Sequence, residues 1–399
     1  MKKKFFNFIA LAVITFSITM VSCKDKEEAK TGVDALIEQG VLTGELDHSV
    51  TLDASVTYKL TGTFVVKDGG VLTIPAGTTI KATQGFGSYI MLAQGGKIYV
   101  NGTASQPVTM TSDDDNTTLA SGYWGGLVIN GKAKISGATG VTATSSCEMN
   151  ANYPYGGSDD ADNSGSITYL KLMYAGARSS AEVEHNGLTL NAVGSGTTIQ
   201  NVYIYKSADD GVECFGGKVS LSNILVVNSD DDCFDNTQGY RGTWTNMYGI
   251  WETGYASSES DPRGVETDGN LDGNTPSDIN QTDFTITNMT IDLKLAYSTT
   301  TQATYMQDVI KVRRLSKATI TNALVKGTGA AADLVDCTGS NSATTDAAAG
   351  TSVNITNSLT NTITGSAAKA GTNAATVTVG TGNTGCSSSI FAWTGYTNF

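Results

Sequence analysis

Residues 186–242 read NGLTLNAVGSGTTIQNVYIYKSADDGVECFGGKVSLSNILVVNSDDDCFDNTQGYRG. Two short runs rich in β-branched residues, Ile199–Ile204 and Leu221–Val226, carry an asparagine at the same point, Asn201 and Asn223. An acidic cluster follows each run, SADDGVE at Ser207–Glu213 and NSDDDCFD at Asn228–Asp235. A strand, an asparagine bend and an acidic exit that recur after about 22 residues describe two stacked coils of a solenoid. Carboxylates then gather where the chain leaves each strand.

The same register extends in both directions. Apolar-x-Asn-x-x-apolar recurs at Trp244-Thr-Asn246, Ile286-Thr-Asn288-Met-Thr-Ile291, Ile320-Thr-Asn322-Ala-Leu-Val325 and Ile355-Thr-Asn357. The asparagine spacings are 22, 23, 42, 34 and 35, which predicts coils with loops inserted at fixed places. Asparagine tolerates the left-handed backbone of a sharp bend, and stacked amides can bond along the axis. Further upstream three segments open on paired glycines, Gly69-Gly70, Gly95-Gly96 and Gly125-Gly126, each followed by an alternating apolar run. No coil can bury its own apolar residues, so neighbours must stack into one continuous core. The expected fold is all-β, a parallel β-helix in the form of a single-stranded solenoid, over residues 46–399. Insertions are expected near 143–165, 253–281 and 328–350; Thr351–Gly385 reads as thin, polar final coils, with Phe391, Trp393, Tyr396 and Phe399 as an end cap.

Composition agrees: 45 glycines among 399 residues and only 16% charged side chains suit short strands and tight turns. The net charge is −13. Without residues 1–22 it is −16, from 22 basic and 38 acidic side chains, which excludes the basic face that nucleic-acid phosphates require.

The N-terminus reads as an address. Lys2–Lys4 precede an apolar run, Phe5–Val21, that ends Met20-Val21-Ser22-Cys23, the pattern of a secretory leader over 1–22. A signal-anchor helix is disfavoured because the run barely reaches the ~17–20 residues a span needs. The Cys after the small residue resembles a bacterial lipobox, although Met20 stands where Leu is usual. The resemblance implies acylation of Cys23 and an outer-membrane lipid partner, with no other segment serving as an anchor. Lys24-Asp25-Lys26-Glu27-Glu28 resembles the export tract of surface lipoproteins of Bacteroidetes, with a plain solvated tether as the other reading of these five residues; 23–45 as a whole reads as the lipidated Cys and an acidic tether, with a helical stretch at Val33–Gln39. Of the remaining cysteines, Cys147, Cys214, Cys233, Cys337 and Cys386, an odd number leaves at least one unpaired. Cys214 and Cys233, 19 apart, are placed to stack on neighbouring coils as buried thiols.

GGVLTIPAGTTIKA, GGKIYVNGTASQPVTMTS and GYWGGLVINGKAKISG resemble the right-handed parallel β-helix proteins of bacterial envelopes. YGGSDDADNSGSITYLKLMYAG resembles a subgroup of lipoproteins from Bacteroidetes and marine proteobacteria. The resemblance covers roughly Leu60–Val335 and implies the fold, with no activity to carry over.

The acidic clusters are the candidate site. Asp209, Asp210 and Glu213 lie one coil from Asp230, Asp231, Asp232 and Asp235, at a period of 21 or 19 according to the residues matched. Carboxylates stacked so closely need compensation. Calcium, with its preference for six to eight hard oxygens, is one compensator. Turn carboxylates bonding neighbouring backbone N–H groups, with Arg241 as counter-charge, are another; catalytic carboxylates are a third. Tyr153, Tyr155, Tyr255 and Arg263 on the inserted loops, with Arg241, are the candidate ligand-binding residues. Tyr203 and Tyr205 should point out of their strand, Trp244, Tyr248 and Trp251 should pack in the core, and His185 should serve a turn or packing role.

Asp209-Asp210-Gly211 and Asp231-Asp232-Cys233 resemble the paired aspartates of polygalacturonases, but that family's Gly-His-Gly and Arg-x-Lys elements are missing. A lyase would need calcium and a basic side chain to take a proton; Lys311, Arg313 and Arg263 are the candidates. The expected function is therefore a non-enzymatic surface lipoprotein that captures a glycan or other ligand, or serves an outer-membrane transporter. The alternative is a calcium-dependent polysaccharide lyase or related carbohydrate-active enzyme.

Overall fold

A computed structural model describes residues 32–116, 120–137, 143–180, 183–295 and 306–399. The leader and Cys23 lie outside the described residues. Among the described residues twenty-three strands form one continuous sheet in which the chain coils about an axis, each strand pairing in parallel with its counterpart on the next coil. The molecule is a parallel β-helix.

Two faces matter for the site. One is built from Gly165–Met173, Thr198–Tyr205, Ser220–Val227, Thr243–Trp251, Asp283–Leu293, Lys317–Gly327 and Ser352–Leu359. The other comprises Trp124–Asn130, Leu188–Asn191, Val212–Phe215, Phe234–Thr237, Arg263–Asp268, Met306–Arg313 and Ala331–Asp336. Alternation along each strand sends every second side chain inward. On the first face Ile199, Leu221, Trp244, Ile286, Ile320 and Val353 stack in one interior column, all buried. Columns of this kind merge into a core running from Leu42 to Ile355.

The asparagine bend is a true ladder. Asn201, Asn223, Asn246, Asn288 and Asn322 all have φ between 54° and 59°. Each amide donates to the carbonyl oxygen of the one before, at 3.0, 2.8, 3.0 and 2.8 Å. Asn357 is not a rung. It pairs with Val325, beyond a register shift after Ile320, and the Asn322 carbonyl accepts instead from the Thr384 N–H at 2.8 Å. Spacing alone matched the motif but missed the bulge. The 42-residue interval from Asn246 to Asn288 is a single coil, because Thr243–Trp251 pairs directly with Asp283–Leu293.

Paired glycines mark another corner. A Cβ on Gly70 would lie 2.3 Å from the Leu46 carbonyl oxygen, and one on Gly96 would lie 2.3 Å from that of Val66. Only glycine lets the next coil pass so closely.

Several boundaries shift. The helix is Val33–Glu38, but Val41–Leu46 already pairs with Thr57–Val66, so the solenoid starts inside the expected tether. The expected insertions at 253–281 and 328–350 each contain a coil strand, Arg263–Asp268 and Ala331–Asp336; the first has a single large apolar residue and the second lies in an Ala/Thr-rich stretch, which hid them. The C-terminal aromatics do not cap the end. Phe391, Trp393, Tyr396 and Phe399 fold back over the outside of the first face, onto Tyr203, Leu225, Val227, Tyr248 and Ile250. Tyr203 and Tyr248 thus point outward yet are buried, and only Trp244 and Trp251 belong to the interior.

Removing one rung tests the ladder. Asn246→Ala deletes two amide bonds of about 1 kcal/mol each and forces alanine into a left-handed backbone at a further cost of about 1 kcal/mol. Asn246→Gly loses the bonds but keeps the conformation. Denaturant unfolding should show alanine as the costlier change, at about 3 kcal/mol. Equal costs would remove the backbone argument, and no cost for either would remove the ladder.

Candidate functional site

The acidic clusters meet on the outside of the second face. Register settles the period at 22: Val212 pairs with Phe234 and Glu213 with Asp235, and Asp235 pairs in turn with Glu266. Val212, Phe234 and Val265 point inward, so Glu213, Asp235 and Glu266 form an outward column of carboxylates. Asp209 and Asp231, Asp210 and Asp232 repeat at the same interval just before their strands. Cys214 lies beside Asn236 rather than Cys233; all five described cysteines are free and buried.

These acids floor a cleft of about 490 Å³. Its walls come from the first inserted loop, a hairpin of Ala143–Ser146 with Pro154–Gly157 that contributes Ser145, Glu148 and Tyr155, and from Leu271 and Asp272. No Lys, Arg or His is among the described residues that line it.

The turn and cation readings divide between neighbouring residues. Asp210 Oδ1 accepts from the Asp232 N–H at 2.9 Å, and Asp232 Oδ1 accepts from the Arg263 N–H at 2.6 Å. The Asp210 N–H in turn donates to Asn186 Oδ1 at 3.1 Å. Asp210 and Asp232 therefore brace consecutive turns. Asp231 and Asp235 do not: Oδ1 of each is shut off from solvent and has no hydrogen-bond partner. Asp209, Asp210 and Asp231 offer ligand oxygens within 4.8 Å of one another, and so do Asp210, Glu213 and Asp235. The two triads share Asp210, and each contains one orphaned oxygen.

Burial raises the pKa of Asp209, Asp210, Glu213, Asp232 and Asp235 well above the usual carboxylate range, and the neighbouring carboxylates raise it further. Asp231 is pushed up to about 7, by burial first and then by Glu266 and Asp261. Among the described residues none of these six acids has an ion-pair partner. Glu266, by contrast, pairs with Arg263 at 3.0 Å and Arg313 at 2.8 Å. A third acidic group, Asp308, Asp333 and Asp336, is already met by Arg263, Lys311 and Lys369.

Other expected site residues sit elsewhere. Asp230 turns away from the cleft: it accepts from Tyr255 Oη at 3.1 Å and the Ser258 N–H at 2.9 Å, and pairs with Arg178 at 3.3 Å. It docks the 253–262 loop. Arg263 is 4% exposed and held by Asp261, Glu266 and Asp308, so it is an internal counter-charge rather than a ligand-binding group. Arg241 faces Asp160 and Asn280 instead of the clusters. Tyr153 donates to Glu45 at 2.7 Å. Of the three loop tyrosines only Tyr155 lines the cleft, its hydroxyl tied to Gln238 at 2.7 Å. His185 is buried between Phe86 and Tyr89 with its pKa lowered to about 4 by burial, consistent with packing.

A family model described as a pectate-lyase-like β-helix domain matches residues 44–397. The chain belongs to the pectate-lyase-like β-helix family. No curated protein and no solved structure gives a significant match. Membership in the pectate-lyase-like β-helix family points to a carbohydrate-related function.

Glu148, Glu184, Glu266 and Asp272 complete the acidic lining; the sequence places Glu148, Glu266 and Asp272 on the inserted stretches without assigning them, or Glu184, to the site. Glu266 follows Asp235 by 31 residues, so no 22-residue template reaches it. Arg178 was also missed; it joins Glu184 at 3.0 Å and Glu259 at 2.7 Å and partly offsets Asp209.

Raised carboxyl pKa values fix the sign of a pH effect. The folded state binds more protons than the unfolded state between about pH 4 and the raised values, so stability falls as pH rises through that window. With chelator present, the melting temperature should decline from pH 5 to pH 8. A rise over that range would show that the carboxylates are not crowded.

Proposed function

We propose that this protein is a glycan-binding β-helix of the bacterial envelope that holds calcium in its acidic cleft. The observation that carries the reading is the pair of carboxylate triads sharing Asp210, each with a buried oxygen that nothing else satisfies. The donors fit calcium. They are hard oxygens without sulfur or imidazole, which favours calcium over zinc or copper. Asp209, Asp210 and Asp231 would hold one ion, and Asp210, Glu213 and Asp235 a second. Bound there, calcium would neutralise the cluster and offer open positions to sugar hydroxyl and carboxylate oxygens. The hairpin carrying Tyr155 and the turn carrying Asp272 wall the cleft and limit how a chain can lie across it. The leader and Cys23 support export and lipid anchoring at the outer membrane, facing the cell surface, where capture of a glycan for a transporter is useful.

Binding is favoured over catalysis by where the basic groups are. Lys311 pairs with Asp336 at 3.0 Å, Arg313 with Asp268 at 2.9 Å and Arg263 with three acids, so none of the candidate bases is free at the cleft. One observation favours the second reading, a calcium-dependent lyase: the matching family model is described as pectate-lyase-like, although Asp231, as a calcium ligand, would not serve as its base.

Calcium added to chelator-treated protein should raise the melting temperature, by the equivalent of about 2.7 kcal/mol for each ion bound at a hundredfold excess over Kd. The double variant Asp231→Asn, Asp235→Asn should melt higher than wild type in chelator and lose the calcium response. An unchanged melting temperature at millimolar calcium would reject the site. Incubation with a panel of uronans and calcium should give no rise in unsaturated-product absorbance; a rise would establish the lyase.

A further inference from the structure

The C-terminal segment does more than cover the first face. Beside it lies a groove of about 290 Å³ lined by Lys171, Met173, Tyr203, Tyr205, Glu252 and Tyr396. Register places Lys171 beside Tyr203 and Met173 beside Tyr205, so one wall is the outer face of two paired strands and the other is the returning chain. The tyrosines are fixed. Tyr203 lies 6.3 Å from Tyr205 and 6.2 Å from Tyr396 between ring centroids, and Tyr174 meets Tyr205 edge-on at 5.7 Å. Tyr396 Oη donates to Glu252 Oε1 at 2.8 Å.

Lys171 supplies the groove's cation. Nine of the 14 described lysines have a carboxylate partner, but Lys171 has no ion pair or hydrogen bond among the described residues and is half-buried. Burial lowers its pKa. A cation kept partly from water without an anion is a cost that a ligand's anion would remove. Aromatic faces around it suit the apolar side of a sugar ring, and Glu252 offers an acceptor for hydroxyls.

We infer that this groove binds a pyranose carrying an anionic substituent, a carboxylate or a sulfate ester, with the anion on Lys171 and the ring against Tyr205. The site is separate from the acidic cleft and needs no metal. It would give the solenoid a second hold on the same polysaccharide or a hold on a different one.

Titration calorimetry on the full chain with chelator present tests this, using glucuronate, glucose 6-sulfate and glucose as probes. At least one anionic sugar should bind about tenfold or more tightly than glucose, and whichever does so identifies the anion. Lys171→Met, an unpaired side chain whose loss should leave the melting temperature unchanged, should weaken that binding about tenfold or more; Tyr205→Ala should weaken anionic sugar and glucose alike. Asp231→Asn with Asp235→Asn should leave it intact, so failure of the cleft reading would not touch the groove. Equal binding of glucose and the anionic sugars, wild-type affinity in Lys171→Met, or no binding of either anionic sugar at millimolar concentration would overturn the proposal.

Discussion

In-register stacking of one coil on the next, at about 4.8 Å, is the constraint from which the rest of this structure follows. Parallel pairing places equivalent residues above one another, so whatever occupies a position is repeated along the axis. Where the residue is isoleucine or leucine, the column is core; where it is asparagine, the column is a chain of amide hydrogen bonds. Where it is aspartate or glutamate, the same rule stacks like charges, and the protein must answer them.

It answers them in two ways along one face. Toward the C-terminal end the column continues from Glu266 to Lys311 and Asp336, and arginines and lysines from neighbouring positions pair off the acids. Nearer the middle, Glu213 and Asp235 stack with no such partner, under walls made by inserted loops. A stack that needed only turns braced would resemble Asp210 and Asp232, whose carboxylates accept backbone N–H groups of the following coil. The contrast with Asp231 and Asp235, identical in chemistry and one to three residues away, is what makes the unmet oxygens informative.

Most of the architecture was legible because a repeat announces itself. Asn201, Asn223, Asn246, Asn288 and Asn322 identify coils even where loops stretch the interval. Asn357 carries the same motif and fails, since a register shift is a property of the paired backbones and leaves no mark on either segment. Asp209, Asp210, Glu213, Asp231 and Asp235 were legible as a cluster for the same reason of periodicity. Asp230 matches Asp209 at a period of 21 as the first aspartate of its cluster, but the observed period is 22, and the rotation of one residue along the chain sends it toward Tyr255 and Arg178. Glu266 and the hairpin wall reach the cleft only through long insertions, whose path no spacing encodes. Arg263 looked like an exposed loop cation because its strand, RGVETD, has only one large apolar residue.

The returning C-terminal segment has a consequence for how the chain is made. Tyr396 bonds Glu252, 144 residues earlier, and Cys386 bonds Thr290 across 96. During synthesis, the outer surface formed by Tyr203, Leu225, Tyr248 and Ile250 stays uncovered until residues 386–399 emerge. Coils can assemble one by one as they appear, since each needs only its neighbour. Their cover cannot. A chain cut before Cys386 would keep its stacked coils but show a bare apolar sheet face, so residues 386–399 are what separate a covered solenoid from an adhesive one.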